Sequence, residues 1–361
     1  MKNIDQYRGC LIGGAVGDAL GYVVEFMMDG AIFQKYGAKG ITEYELRGST
    51  AIISDDTQMT LYTANGLLYD LWRTGTTPLA AIAQCYCDWY QTQTDHKKAK
   101  AAWLNNLPEL HYRRAPGNTC LSALHGGIYR LGSIEEPINL SKGCGGVMRV
   151  APIGLMDETP GMSLDQLDLL GAQAAALTHG HELGYIPSAM LVHIVHLLTH
   201  RPDMTIRAAV EDAKEAALRI FRHTHHLARM LELTDEALLL ADDPFVKDLE
   251  AIRKLGGGWV GEEALAIAIY CAVKYDSDFE KAIIASVNHS GDSDSTGAIA
   301  GNILGAHLGL KAIPEKFLTA LELRDTIIDI ADDLFYGKPE KCDPRYAVWE
   351  DKYGKHTYPN T

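Results

Sequence analysis

Apolar residues recur three and four positions apart along almost the whole chain, the spacing that gathers them on one face of an α-helix. This pattern predicts helices over Thr57–Trp72, Pro78–Tyr90, Leu164–Leu177, Ile206–Phe221, Pro244–Leu255, Glu262–Lys274 and Phe279–Asn288. Ser163 followed by Gln166, and Ser277 followed by Glu280, have the spacing of capping boxes at two of the starts. Alternation of apolar and polar residues is scarce, and Ile41–Leu46 is the best candidate strand. Asn105–Asn118 and Tyr336–Thr361 lack either period and are expected to be irregular and exposed. There is no low-complexity linker and no tandem repeat. The expected fold is all-α, a single compact domain over residues 1–336, with a C-terminal extension over 337–361 packed on or near it.

Two segments break the rule that helices avoid glycine. Gly9, Gly13, Gly17 and Gly21 recur every fourth residue, and so do Gly297, Gly301, Gly305 and Gly309. Each interior glycine costs a helix about 1 kcal/mol, so something must offset it. A smooth glycine stripe lets another backbone approach closely. These helices are expected at the centre of the domain, beside any site.

Two acid-rich clusters precede helical stretches, Ser54-Asp-Asp-Thr57 near one end of the chain and Gly291-Asp-Ser-Asp-Ser-Thr296 near the other. Ser, Asp and Thr are favoured helix caps, so either cluster alone reads as an ordinary cap. Together they offer the all-oxygen donor set that hard divalent cations take. If they converge, they can hold a pair of ions about 3.5–4 Å apart. The Asp292-x-Asp294 spacing opens like a calcium loop, but Ile303 stands at the twelfth position where that loop needs Glu.

The net charge of −14 argues against a nucleic-acid backbone as partner. The seven cysteines are unpaired in number and lack framework spacing, and they read as reduced thiols. No signal-peptide pattern opens the sequence, and no uncharged run approaches the ~20 residues that span a bilayer. The chain is expected to be cytoplasmic. His196 and His200 have the spacing of a zinc-protease helix, but Leu197 replaces the catalytic Glu. They and His193 read as structural or surface residues, and His223, His225 and His226 as a solvated turn.

The ordered motifs resemble the ADP-ribosylglycohydrolase family. They are Gly13-Gly-Ala-Val-Gly-Asp-Ala-Leu-Gly21 with Glu25-Phe26, Ser54–Thr57, Gly117-Asn-Thr119, Lys142-Gly-Cys-Gly-Gly-Val-Met-Arg-Val-Ala-Pro152, Leu177-Thr-His179, Gly257-Gly-Trp259 and Gly291–Gly301. The resemblance implies an all-α fold of orthogonal helices around a central cleft with a pair of Mg²⁺ or Mn²⁺ ions. It implies Ser54, Asp55 and Asp56 as one ligand group and Asp292, Asp294 and Ser295 as the other. Both serines stand where the family usually has Thr. Glu25 matches an acidic residue on a mobile loop, and with Asp55 and Asp56 it is a candidate acid/base. Asn118, Ser141, Gly143, Cys144 and His179 match positions that contact ADP-ribose, with Cys144 where many members have Asn.

The implied activity is hydrolysis of the glycosidic bond between ADP-ribose and a modified protein or other molecule. The pyrophosphate is expected against backbone N–H groups of Gly143–Gly146, and Trp259 is a candidate wall of the cleft. Two alternatives have distinct tests. One is an ADP-ribose-binding or toxin-blocking protein that acts by occlusion on a transferase, with Tyr346, Trp349, Tyr353 and Tyr358 as a contact surface. The other is a dinuclear-metal phosphohydrolase, which would release phosphate.

Overall fold

The computed structural model describes residues 2–72, 76–94 and 102–354, and their regular structure is helical. In chain order the helices are α1 Ile4–Gly21, α2 Asp29–Tyr36, α3 Asp55–Trp72, α4 Pro78–Thr94, α5 Asn118–Leu124, α6 Ala151–Gly154, α7 Leu164–Ala176 and α8 Glu182–His200. They continue as α9 Ile206–Ile220, α10 Leu227–Asp242, α11 Asp248–Leu255, α12 Gly261–Lys274, α13 Phe279–Val287, α14 Ser293–Leu308, α15 Glu315–Leu318, α16 Arg324–Tyr336 and α17 Tyr346–Trp349. A continuous apolar core takes in residues from Tyr7 to Tyr353.

Several local expectations are corrected. The strand expected over Ile41–Leu46 does not form. The Asn288 side-chain amide takes the Ile41 N–H at 2.7 Å and donates to the Ile41 carbonyl at 2.9 Å, standing where a neighbouring strand would. Helix α11 begins at Asp248 rather than Pro244, because Asp243 Oδ1 accepts the Phe245 N–H and turns the chain first. The Ser163 start is as expected, its N–H donating to Gln166 Oε1 at 2.8 Å. At α13 the cap is Asp278, which accepts the Lys281 N–H, and not Ser277.

The two stretches expected to be exposed are partly buried. Residues 103–111 form two 3₁₀ turns that bury Leu104 and Leu110. Trp349 and Tyr353 are buried, and the Tyr353 hydroxyl donates to Asp333 Oδ2 at 2.8 Å. These two aromatics therefore do not belong to an exposed contact surface; Tyr358 lies outside the described residues.

Helix α8 is the central rod. An 18-residue window of this 19-residue helix has a mean hydropathy of 1.2, long and apolar enough by composition to cross a membrane, contrary to the expectation that no stretch comes close. In the fold 94% of that stretch is buried against the other helices. His193 is buried in it between Asp168 (2.7 Å) and Asp212 (3.0 Å), a structural role as expected.

The glycine stripes explain how the site is assembled. Helices α1 and α14 run antiparallel in direct backbone contact. A Cβ at Gly9 would overlap the Gly305 carbonyl, at Gly13 that of Gly301, at Gly17 that of Gly297, and at Gly21 that of Ser293. Gly309 closes the stripe where α14 ends, at φ 81°, lying against Gly9 and Asp5 of α1. The antiparallel register brings the C-terminal end of α1, and the turn that follows it, beside the N-terminal end of α14.

Candidate active site

The first acidic cluster is fastened from behind by a residue with no role assigned above. Asp18, fully buried on α1, accepts the Ser54 N–H at 2.9 and 3.0 Å through its two oxygens. Its Oδ2 also accepts the Thr57 N–H at 3.0 Å and the Thr57 hydroxyl. One carboxylate thus satisfies orphan donors at the start of α3. A second brace comes from the buried pair Arg114–Glu322, 3.2 Å apart. The Ile53 N–H donates to Glu322 Oε2, the Asp55 N–H donates to the Arg114 carbonyl, and the Gly117 N–H donates to Asp55 Oδ2 at 3.2 Å. The only signal for Asp18 was its place inside the glycine motif. Arg114 and Glu322 gave none, because their pairing spans 208 positions.

The second cluster is held mainly by main chain. The Asp292 N–H donates to the Gly257 carbonyl at 2.8 Å, and Asp292 caps α14 by accepting the Ser295 N–H. Residues 22–28 bridge α1 and α2, and the Asp29 N–H donates to Ser290 Oγ at 2.7 Å. The turn carrying Glu25 is therefore pinned at both ends to the segment that leads into α14. Side-chain oxygens of Glu25, Asp292 and Asp294 all lie within 4.8 Å of one another.

These elements surround a cleft of about 570 Å³. Its walls hold Glu25, Asp55, Asp56, Asn118, Gly143, Cys144, His179, Asp292, Asp294 and Ser295, so most candidate residues from both halves of the chain meet there. Ser54 is fully buried behind the cleft, and the hydroxyl of the half-buried Ser141 is engaged within the protein. The Ser54 hydroxyl exchanges hydrogen bonds with Asp56 (3.2 and 3.4 Å), and the Ser141 hydroxyl pairs with Thr119 and accepts the Gly143 N–H. Cys144 turns its thiol to Asp292 Oδ2 at 2.7 Å, a hydrogen bond within the protein. Of the loop N–H groups expected to face a pyrophosphate, that of Cys144 is also taken, by the Trp259 carbonyl at 3.2 Å. The same pairing holds Trp259 at the mouth, where its ring stacks on Phe26 with centroids 6.0 Å apart.

Electrostatically the cleft is unbalanced. Burial, with Asp292, Asp55 and Asp18 nearby, pushes the Glu25 carboxyl up to about 9. Burial also holds Asp55, Asp56 and Asp294 well above the usual carboxylate range. The repulsion crosses between the clusters, since Asp56 raises Asp294. Asp56 Oδ1 and Glu25 Oε2 are buried without a hydrogen-bond partner. Among the described residues the only Lys or Arg lining the cleft is Arg113, so the protein itself does not neutralise these acids. Hard divalent cations fit such a donor set, supplying the missing positive charge to oxygens already gathered.

Comparison with known proteins agrees with this geometry. The family model described as ADP-ribosylglycohydrolase matches residues 1–344. An ADP-ribosyl-dinitrogen reductase glycohydrolase of Rhodospirillum rubrum is 29% identical over 323 residues, covering 89% of this chain and 91% of the relative. The ADP-ribosylhydrolase ARH3 of Mus musculus is 25% identical over 353 residues, covering 89% and 88%. A solved structure titled ADP-ribosylglycohydrolase-related protein complex superposes with a TM-score of 0.63 over 92% of this chain and 98% of its own, at 23% identity, which shows the shared fold. With a family match over nearly its whole length and an acid-lined cleft at the junction of its two glycine-striped helices, the chain belongs to the ADP-ribosylglycohydrolase family, hydrolases acting on glycosyl bonds.

Proposed function

We propose that this cleft cleaves the glycosidic bond joining ADP-ribose to a modified protein or other acceptor, with a pair of Mg²⁺ or Mn²⁺ ions held between the acidic clusters. The observation that carries this reading is the set of uncompensated buried carboxylates drawn from opposite ends of the chain onto one cleft. Asp55 and Asp56, braced by Ser54, would hold the ions from the α3 side. Asp292, Asp294 and Ser295 would hold them from the α14 side. Bound there, the cations would supply the positive charge that orients ribose hydroxyls and makes water a better nucleophile at neutral pH.

The chain's own groups do the rest. Glu25 Oε2, buried and unpaired, is placed to take a proton from a water approaching the anomeric carbon. Its raised pKa comes first from burial and then from the neighbouring carboxylates, and positive charge in the cleft would lower it. The transition state of glycoside cleavage resembles an oxocarbenium ion, which the surrounding carboxylates favour. Asn118 and His179 line the wall on the side of the Gly143–Gly146 loop and are the groups for the rest of ADP-ribose. Phe26 and Trp259 stand stacked at the mouth, where the aromatic pair would offer the substrate an apolar wall.

The test is release of free ADP-ribose from proteins modified on arginine or on serine, followed by chromatography with and without Mg²⁺ or Mn²⁺. Wild type is expected to release it only with the cation, and Asp294→Ala to release it about a hundredfold or more slowly. Release that persists undiminished in chelator, or no release from any modified substrate, would overturn the reading.

A further inference from the structure

His179 sits in the wall of the cleft with its ring edge against the glycine loop. A Cβ at Gly143 or at Gly145 would lie 3.3 Å from its Nε2. That nitrogen makes no hydrogen bond to the protein among the described residues, and it is not sealed off as an orphan. The other ring nitrogen, Nδ1, is 2.8 Å from the Thr178 hydroxyl. Which of the two donates decides what His179 can offer a ligand.

The answer lies one residue further back. Arg149 is fully buried and forms no ion pair among the described residues. Its guanidinium faces the Tyr86 ring at 4.2 Å, and its Nη2 donates to the Ala174 carbonyl at 3.1 Å and to Thr178 Oγ1 at 2.7 Å. A guanidinium has only donors, so Thr178 Oγ1 must accept this bond. The single hydroxyl proton then goes either to His179 Nδ1 at 2.8 Å or to the Ala175 carbonyl at 3.4 Å. The shorter contact is the stronger bond by a wide margin. If the proton went to Ala175, the hydroxyl would accept from Arg149 and His179 together and keep only a marginal bond of its own.

We propose that Arg149 and Thr178 act in series to lock His179 in the Nε2–H tautomer, so that it meets the ligand as a neutral hydrogen-bond donor beside the glycine loop. Thr178 and Arg149 are positioning residues, since they act through His179. Burial and the nearby guanidinium also keep a second proton off the ring, pushing it down to about 3. The partner on the ligand is therefore a hydrogen-bond acceptor, held by a hydrogen bond rather than by an ion pair. Its assignment to ADP-ribose rests on the reading above, whereas the tautomer does not.

The experiment pairs imidazole ¹⁵N NMR on the whole protein with calorimetric titration of ADP-ribose into Mg²⁺-loaded protein. The His179 signals are identified by their loss in His179→Gln. Wild type is expected to show protonated Nε2 and bare Nδ1, unchanged across the range where ordinary imidazoles titrate. Thr178→Val is expected to mix the tautomers and weaken ADP-ribose binding about fivefold, one ordinary hydrogen bond. Thr178→Ser is expected to restore both. A protonated Nδ1 in wild type, an imidazolium at neutral pH, or a Thr178→Val protein with unchanged tautomer would each overturn the proposal. Because the wild-type spectrum decides the tautomer by itself, a variant that folds poorly does not obscure the result. Failure of wild type to bind ADP-ribose while showing the Nε2–H pattern would count against the proposed function and not against the lock.

Discussion

The two acidic helix starts are alike in composition and unlike in how they are held. At α3, side chains do the fastening, with Asp18 gathering the Ser54 and Thr57 donors while Arg114 and Glu322 hold the flank. At α14, the main chain does it, through glycine-on-glycine contact with α1 and the Gly257 carbonyl. A side-chain anchor is a local device that a single substitution can loosen. A backbone anchor runs the length of two helices and cannot yield at one place without moving the rest. Like chemistry therefore rests on supports of different reach.

That difference can be broken most severely at the stripe. Gly301→Ala places a methyl on the Gly13 carbonyl. Although alanine favours helix by about 1 kcal/mol, the variant is expected to lose more than about 3 kcal/mol in urea unfolding. Unchanged stability would mean the two helices can part freely. Asp294→Ala is expected to stay folded while ADP-ribose release falls about a hundredfold or more, the scale for losing one transition-state electrostatic group. Isothermal titration of Mn²⁺ should show its affinity reduced as well.

Asp18→Asn removes one of the oxygen acceptors shared by Ser54 and Thr57. A loss of about 1–3 kcal/mol is expected, with one cation-binding step weakened and the other kept. Equal weakening of both steps would show that the anchors are not independent.

Chelation gives a smaller effect with a definite pH dependence. Glu25 has a folded pKa of about 9 without cations, against about 4.3 for an unfolded chain. The metal-free fold therefore keeps a proton that the unfolded chain has released, and its stability falls as pH rises between those values. Bound cations remove that loss. The rise in Tm on adding Mn²⁺ is expected to widen from acid to mildly basic pH; a gap that narrows would contradict the buried-carboxylate account. The smallest change is expected from Trp259→Ala, which removes the stack on Phe26. KM should rise several-fold, in keeping with about 0.5–1.5 kcal/mol for an aromatic pair, with kcat changed less.

Much of this was legible in the sequence. Helical spacing gave the all-α class and, for the seven helices it predicted, most bounds to within a residue or two, because amphipathic periodicity is local. The fourfold glycine spacing in α1 and α14 announced a close helix contact, and the two acid-rich starts announced candidate ligands. What spacing could not show is which groups in those starts face the cleft. Ser54 has the right identity and lies fully buried behind the surface, and beyond those starts the Cys144 thiol turns to Asp292.

By itself the sequence determined the helices, the donor-rich segments and the stripes that let two backbones touch, since each is written in residues a few positions apart. Only the tertiary structure decided that Asp18 fastens the first cluster, that Arg114 and Glu322 pair beneath it, that Asn288 replaces a strand at Ile41, and that Arg149 reaches His179 through Thr178. The physical reason is the same in each case. A buried polar group must find a partner, and which partner it finds depends on distances between segments that no local pattern encodes.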